Sequence, residues 1–137
     1  MKLHFLDTNT LSYFLKGIDP ALQRRMARAF KNEDIAISVV TRAQMRYGQG
    51  LMAADDKRRM RVDLLLAEVP TLPWTTAAAD HYGQVNALPQ RQGMPIGEID
   101  TQIAAHALAE DLILLTDSTR HFKSVPGLKL EDWVVDR

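Results

Sequence analysis

The sequence predicts an α/β domain in three layers, α/β/α, around a mostly parallel sheet of four or five strands. Three observations carry this. Short β-branched or leucine-rich runs are too brief for helices; the longer segments between them repeat apolar residues at helical spacing; and the two kinds alternate along the 137 residues. That length suits one hydrophobic core, so residues 1–137 are read as a single domain.

The strand candidates are Leu3 to Leu6, which stops at Asp7; Ile35 to Val40 (IAISVV), which stops at Thr41; and Leu112 to Leu115, which ends at Thr116-Asp117. Glu68 to Leu72 is a weaker one, because Pro70 interrupts it and Pro73 follows. The first clear helix signal is Asp19-Pro20, a capping residue before a first-turn proline, with Leu22, Met26 and Phe30 following. Thr41 is expected to cap the next helix, Asp55 to Leu66 reads as another, and Thr75 or Thr76 starts one running to Leu88. After the loop Gly93 to Gly97, the spacing of Ile99, Ile103, Ala107 and Leu108 marks a last long helix. Strands alternating with helices imply right-handed crossovers, and ligands in such sheets sit beyond the carboxyl ends of the strands.

Composition narrows the chemistry. Apolar residues make up 46% and charged residues 25%, as in an ordinary globular protein. There is no cysteine, which excludes disulfides, thiol nucleophiles and Cys-rich zinc sites, so any metal must be held mainly by oxygen. The N-terminus has no long apolar run, so neither a signal peptide nor a membrane span is expected, and a cytoplasmic location follows by default. Seventeen basic residues balance seventeen acidic ones, so global charge is silent about nucleic acid. Local basic patches remain at Arg24, Arg25 and Arg28 and at Lys57, Arg58, Arg59 and Arg61, although solvated helix faces are the commoner use of such residues.

Three acids fall at one edge of the expected sheet: Asp7 directly after its strand, Asp117 after the 112–115 strand, and Asp100 opening the last long helix. Singly, each has an ordinary role as a turn or capping residue. Together they repel one another unless a cation neutralises them. A hard divalent ion such as Mg²⁺ is the usual answer, and it serves phosphodiester hydrolysis well. Glu98 is close enough to assist as an auxiliary ligand, but it equally suits the positive end of the following helix.

The blocks FLDTNTLSYFLKG, ISVVTRAQMRYG, GMPIGEIDTQIAAHAL and LLTDSTRHFKSVPGL, spread over residues 5–128, resemble the signature blocks of the VapC branch of PIN-domain ribonucleases. The resemblance implies a PIN-like fold and a Mg²⁺-dependent toxin ribonuclease, with Mn²⁺ as a substitute ion. Asp7 and Asp100 match the family's metal-binding acids, and Thr8 and Asn9 match the turn that supports the first. Asp117 is the one carboxylate offered for the fourth acidic position, although a second register places Ser118 there. Arg46, Arg120 and His121 are candidate RNA contacts.

One block departs from the pattern. The branch generally has Glu where this chain has Gln44 in Ala43-Gln44-Met45-Arg46-Tyr47-Gly48. An amide offers a carbonyl oxygen but no charge, so metal affinity and catalysis should both suffer. Gln44 also fits a capping box with Thr41. The implied partners are a VapB-type antitoxin, a second copy of the chain in a homodimer, and structured RNA, with initiator tRNA as first candidate; DNA is reached only through the antitoxin. Leu11, Phe14, Leu15 and Met45 are candidate antitoxin contacts, with core packing the commoner role. An inactive PIN fold that only binds antitoxin or RNA is the alternative that Gln44 raises. A haloacid-type phosphatase fits poorly, since Asn9 stands where that family needs a second Asp, and a receiver domain lacks its lysine near Asp117.

Overall fold

The computed structural model describes residues 3–134 apart from 92, 94 and 95, so part of the expected 93–97 loop lies outside the described residues. The elements in order are β1 (His4–Leu6), α1 (Thr8–Lys16), α2 (Pro20–Lys31), β2 (Ile35–Ser38), α3 (Val39–Gly50) and α4 (Arg58–Glu68). There follow β3 (Thr71–Leu72), α5 (Thr76–Arg91), α6 (Glu98–Ala109), β4 (Ile113–Leu115), α7 (Thr119–Phe122) and β5 (Lys129–Glu131). The strands form one five-stranded sheet in the order β3-β2-β1-β4-β5. Every pairing is parallel.

The register explains the layers. Phe5 pairs with Ala36 and Leu114, and Leu6 with Ile37 and Leu115. Successive strand residues face opposite sides of a sheet. Leu6, Ile37 and Leu115 accordingly pack with Leu11, Leu22, Met26 and Leu65 from α1, α2 and α4. Phe5, Ala36 and Leu114 pack with Val85, Ile103, Ala104 and Phe122 from α5, α6 and α7. Both rows are fully buried, which is why these strands read as unbroken apolar runs rather than alternating ones. Each leucine or isoleucine removed from water here contributes roughly 1.5–3 kcal/mol.

Helix starts follow side-chain chemistry. Asp19 accepts from the amides of Ala21 at 3.1 Å and Leu22 at 3.2 Å, with Pro20 behind it, as the sequence predicts. Thr75 caps α5 by accepting from the Ala78 amide at 3.1 Å. The expected cap at Thr41 is corrected: Ser38 caps α3, accepting from the Val40 amide at 2.9 Å. The strand therefore ends at Ser38, and Val39 and Val40 form the first helical turn, where no preceding turn crowds a β-branched side chain. Thr41 is buried inside α3, so the capping box with Gln44 does not form.

Other boundaries also moved. The helix expected over 55–66 starts at Arg58, where Asp56 accepts from the Arg58 amide at 2.9 Å, and runs to Glu68. Only Thr71–Leu72 of the 68–72 run pairs as strand. β5, Lys-Leu-Glu, was not anticipated; its pairing with β4 comes from the neighbour it meets, not from β propensity. Among the described residues no helix is long and apolar enough to cross a membrane.

Candidate catalytic site

β1 is the branching point of the sheet, because the chain moves from it to β2 and β3 on one side and returns on the other to β4 and β5. A crevice beyond the strand ends is expected at such a point. One position past the paired rows stand Asp7, Ser38 and Thr116, at the carboxyl ends of β1, β2 and β4. The Asp7 amide extends the ladder by donating to the Leu115 carbonyl at 3.1 Å.

Asp7 is 3% exposed and caps α1, its carboxylate accepting from the Thr10 amide at 2.8 Å. Burial pushes its pKa above the ordinary value. Hydrogen bonding to the Thr116 hydroxyl and to the Thr10 amide pulls the other way, and the neighbouring Asp117 charge pushes it up again. Thr10 and Thr116 are thus the supports of this acid, and neither was singled out from the sequence. The supports expected there differ: Asn9 is exposed, and the buried Thr8 hydroxyl has no hydrogen-bond partner. The signal for Thr10 was present in the i+3 spacing of a capping residue, whereas Thr116 depends on strand pairing.

Asp117 is half-buried, with the Ser118 hydroxyl 3.4 Å from its carboxylate and the Ser118 amide donating to the Thr116 hydroxyl at 2.9 Å. The structure therefore brings Asp7 and Asp117 together and puts Ser118 beside them. Asp100, the third residue of α6, is half-buried and ion-paired with His121 Nε2 at 3.1 Å. Burial raises its pKa, and His121 opposes the shift. The same Nε2 faces the Ile96 carbonyl, so both acceptors fix the proton on that nitrogen and His121 holds Asp100 in place. Glu98 is exposed in the first turn of α6, where its charge suits the helix dipole.

Gln44 is half-buried on α3 and lines, with Thr8, a mostly apolar cavity of about 240 Å³ between α1, α3 and α4. Leu15, Met45 and Met52 line it further. Of the apolar residues named from the sequence, Leu11 and Met45 are buried in the core, while Phe14 and Leu15 are only partly covered. Arg46 is bound to Asp63 at 2.6 Å and to Gln49 at 2.9 Å, in a strut joining α3 to α4, while Arg120 is exposed. Three of the basic patch residues are likewise engaged: Arg25 lies over Trp133 at 4.3 Å, Arg58 pairs with Asp56 at 2.7 Å, and Arg59 donates to the Gln49 carbonyl at 2.6 Å. Among the described residues no three Asp, Glu or His side chains converge as a ready metal cage.

The PIN domain model matches residues 4–128. The tRNA(fMet)-specific endonuclease VapC of Shigella flexneri is 33% identical over 93% of this chain and 96% of its own length. The ribonuclease VapC2 of Haemophilus influenzae is 33% identical over 98% and 100%. Among solved structures, DNA-bound VapBC from Salmonella typhimurium superposes with a TM-score of 0.88 at 31% identity, covering 97% of this chain and 99% of that one. VapBC2 from Rickettsia felis, bound to a promoter DNA fragment, gives 0.87 at 27% identity over 96% and 98%. With the sheet order, the buried strand-end aspartate and these likenesses in agreement, the chain belongs to the PIN-domain family, in its VapC ribonuclease branch.

Proposed function

We propose that this chain is the toxin of a VapB–VapC pair and cleaves structured RNA at a divalent-metal site formed by Asp7, Asp100 and Asp117. The observation that carries the reading is Asp7: a carboxylate 3% exposed, held at the sheet's branching point against the charge of Asp117. An unneutralised acid in that position costs stability, and a cation repays it. The buried Thr8 hydroxyl without a partner is a further oxygen of the type such an ion or its water shell takes.

A magnesium-like ion, when bound, supplies Lewis-acid stabilisation of phosphate charge and acidifies a water. The chain's own residues prepare for it. Thr10 and Thr116 orient the Asp7 carboxylate, and His121 orients Asp100. Gln44 lines the cavity beside Thr8, and by the family resemblance it offers a dipole where a charged Glu is usual, which weakens both ion binding and base chemistry. Arg120 is an exposed cation on α7, three residues after Asp117, and suits a phosphate contact.

The relatives' names make tRNA(fMet) the first candidate substrate. The VapBC neighbours make a VapB-type antitoxin the expected partner; the family resemblance adds DNA bound through that partner and pairing of the toxin as a homodimer. The mostly apolar cavity beside Gln44 suits the antitoxin's segment. The test is cleavage of total tRNA by the parent chain and by Gln44→Glu with Mg²⁺ or Mn²⁺, followed by mapping of the cut ends. The reading expects cutting that rises with Gln44→Glu and vanishes with Asp7→Asn. A second reading, an inactive fold acting only by binding, is favoured by Gln44 itself. It predicts antitoxin binding with neither metal uptake nor cutting in either form.

A further inference from the structure

The most buried titratable side chain outside the acidic site is His106, on α6. It is fully buried, and its Nδ1 lies 2.8 Å from the Ser38 hydroxyl. Ser38 already accepts from the Val40 amide as the cap of α3, so its hydroxyl proton is available to Nδ1. The ring also packs edge-on against Phe5 at 5.1 Å and Trp74 at 5.5 Å. Burial holds its pKa below the ordinary value, against the opposing Glu110 charge and Pro73 carbonyl, and so keeps it neutral.

The placement matters more than the burial. Ser38 begins the helix that carries position 44, and His106 stands six residues after Asp100 on the helix that carries it. Phe5 lies two residues before Asp7 on β1. From the helix that carries Asp100, one imidazole therefore touches the start of the helix that bears position 44 and the strand that leads into Asp7. Hydrophobic contact alone lets helices slide, whereas a buried hydrogen bond at 2.8 Å has one satisfying geometry and a penalty for every other.

We propose that Ser38 and His106 form a positioning pair that fixes α3 against α6 and so sets the separation of position 44 from Asp100. This rests on the reading of those two positions as parts of one metal site, but its main test does not. The chain has no cysteine, so spin labels can be attached at Tyr47→Cys on α3 and Gln102→Cys on α6 without background. Pulsed electron–electron distance measurement should give one narrow distribution in the parent. His106→Phe keeps the ring's bulk and loses the hydrogen bond, and should shift or broaden it. His106→Asn, which presents an acceptor to Ser38, should restore it. Ser38→Ala and Ser38→Thr form an independent pair, lossy and conservative, should His106→Phe fail to fold.

In the Gln44→Glu background the lossy variants should weaken Mn²⁺ binding about tenfold, the usual effect of removing an outer support of a metal site, and lower kcat with KM for RNA unchanged. An unchanged distance distribution in folded His106→Phe or Ser38→Ala overturns the positioning pair. So does a folded Ser38→Thr variant as disturbed as Ser38→Ala, because the hydroxyl that bonds His106 then makes no difference. Failure of the Gln44→Glu parent itself to bind Mn²⁺ strikes the metal-site reading instead, and leaves the distance result to decide this one.

Discussion

Asp7→Asn should stabilise the metal-free protein while abolishing its activity. The carboxylate is 3% exposed and its net pKa displacement is upward, so the loss of hydration outweighs the hydrogen bonding to Thr116 and Thr10. Asparagine keeps the acceptor that caps α1 through the 2.8 Å bond to the Thr10 amide, and Asn caps helices as well as Asp does. What it gives up is the attraction of a charge to the helix dipole, about 0.3–1 kcal/mol. The relief of burying a charge beside Asp117 is larger, and gains from relaxing a functional site are typically ~0.5–2 kcal/mol. The sign with pH is fixed by the direction of the shift. A raised folded pKa contributes stability that is complete below the ordinary value of 3.8 and is lost as pH rises through the folded value. The advantage of the variant should therefore be small near pH 3.5, open as pH climbs through that window, and be full at pH 7. The assay is urea unfolding of both proteins across pH in chelator, reading the difference at each pH. A variant less stable than its parent at pH 7, or a difference that does not change with pH, would refute the reasoning.

Three further outcomes follow from the same geometry. Thr116→Val, nearly isosteric, removes a hydroxyl that holds Asp7 down, so the Asp7 carboxyl should titrate higher still by carbon-13 NMR; an unchanged titration would show that Thr116 gives no support. Gln49 is buried and bonds the Arg59 carbonyl and Asp63, each at 2.8 Å, so Gln49→Ala should cost ~1–3 kcal/mol in urea unfolding and let the lowered Asp63 pKa return toward normal. Mg²⁺ at about a hundred times its dissociation constant should stabilise the parent by ~2.7 kcal/mol, seen as a higher melting temperature, and should not do so in Asp7→Asn.

The sequence by itself determined the fold class and the strand end at Asp7. The runs Leu3–Leu6, Ile35–Val40 and Leu112–Leu115 are mostly apolar because helices cover both faces of the sheet, and a run that stops at an acid, as the first does, is visible without coordinates, whereas the second was read two residues past the strand's end at Ser38. The capping at Asp19 and Thr75 was legible for the same reason, since the bond closes within three residues. Family blocks around Asp7 and Asp100 were equally local. What sequence could not settle was decided by partners far along the chain. Ser38 rather than Thr41 starts α3 because the sheet releases the chain there and His106, 68 residues away, meets its hydroxyl. Lys129–Glu131 is a strand because β4 offers an edge, and Thr116 supports Asp7 because two strands lie side by side. His121 holds Asp100 because α7 folds back onto the start of α6. Local hydrogen bonds and apolar periodicity are written in neighbouring residues, while the surroundings of a charge exist only after distant segments have packed.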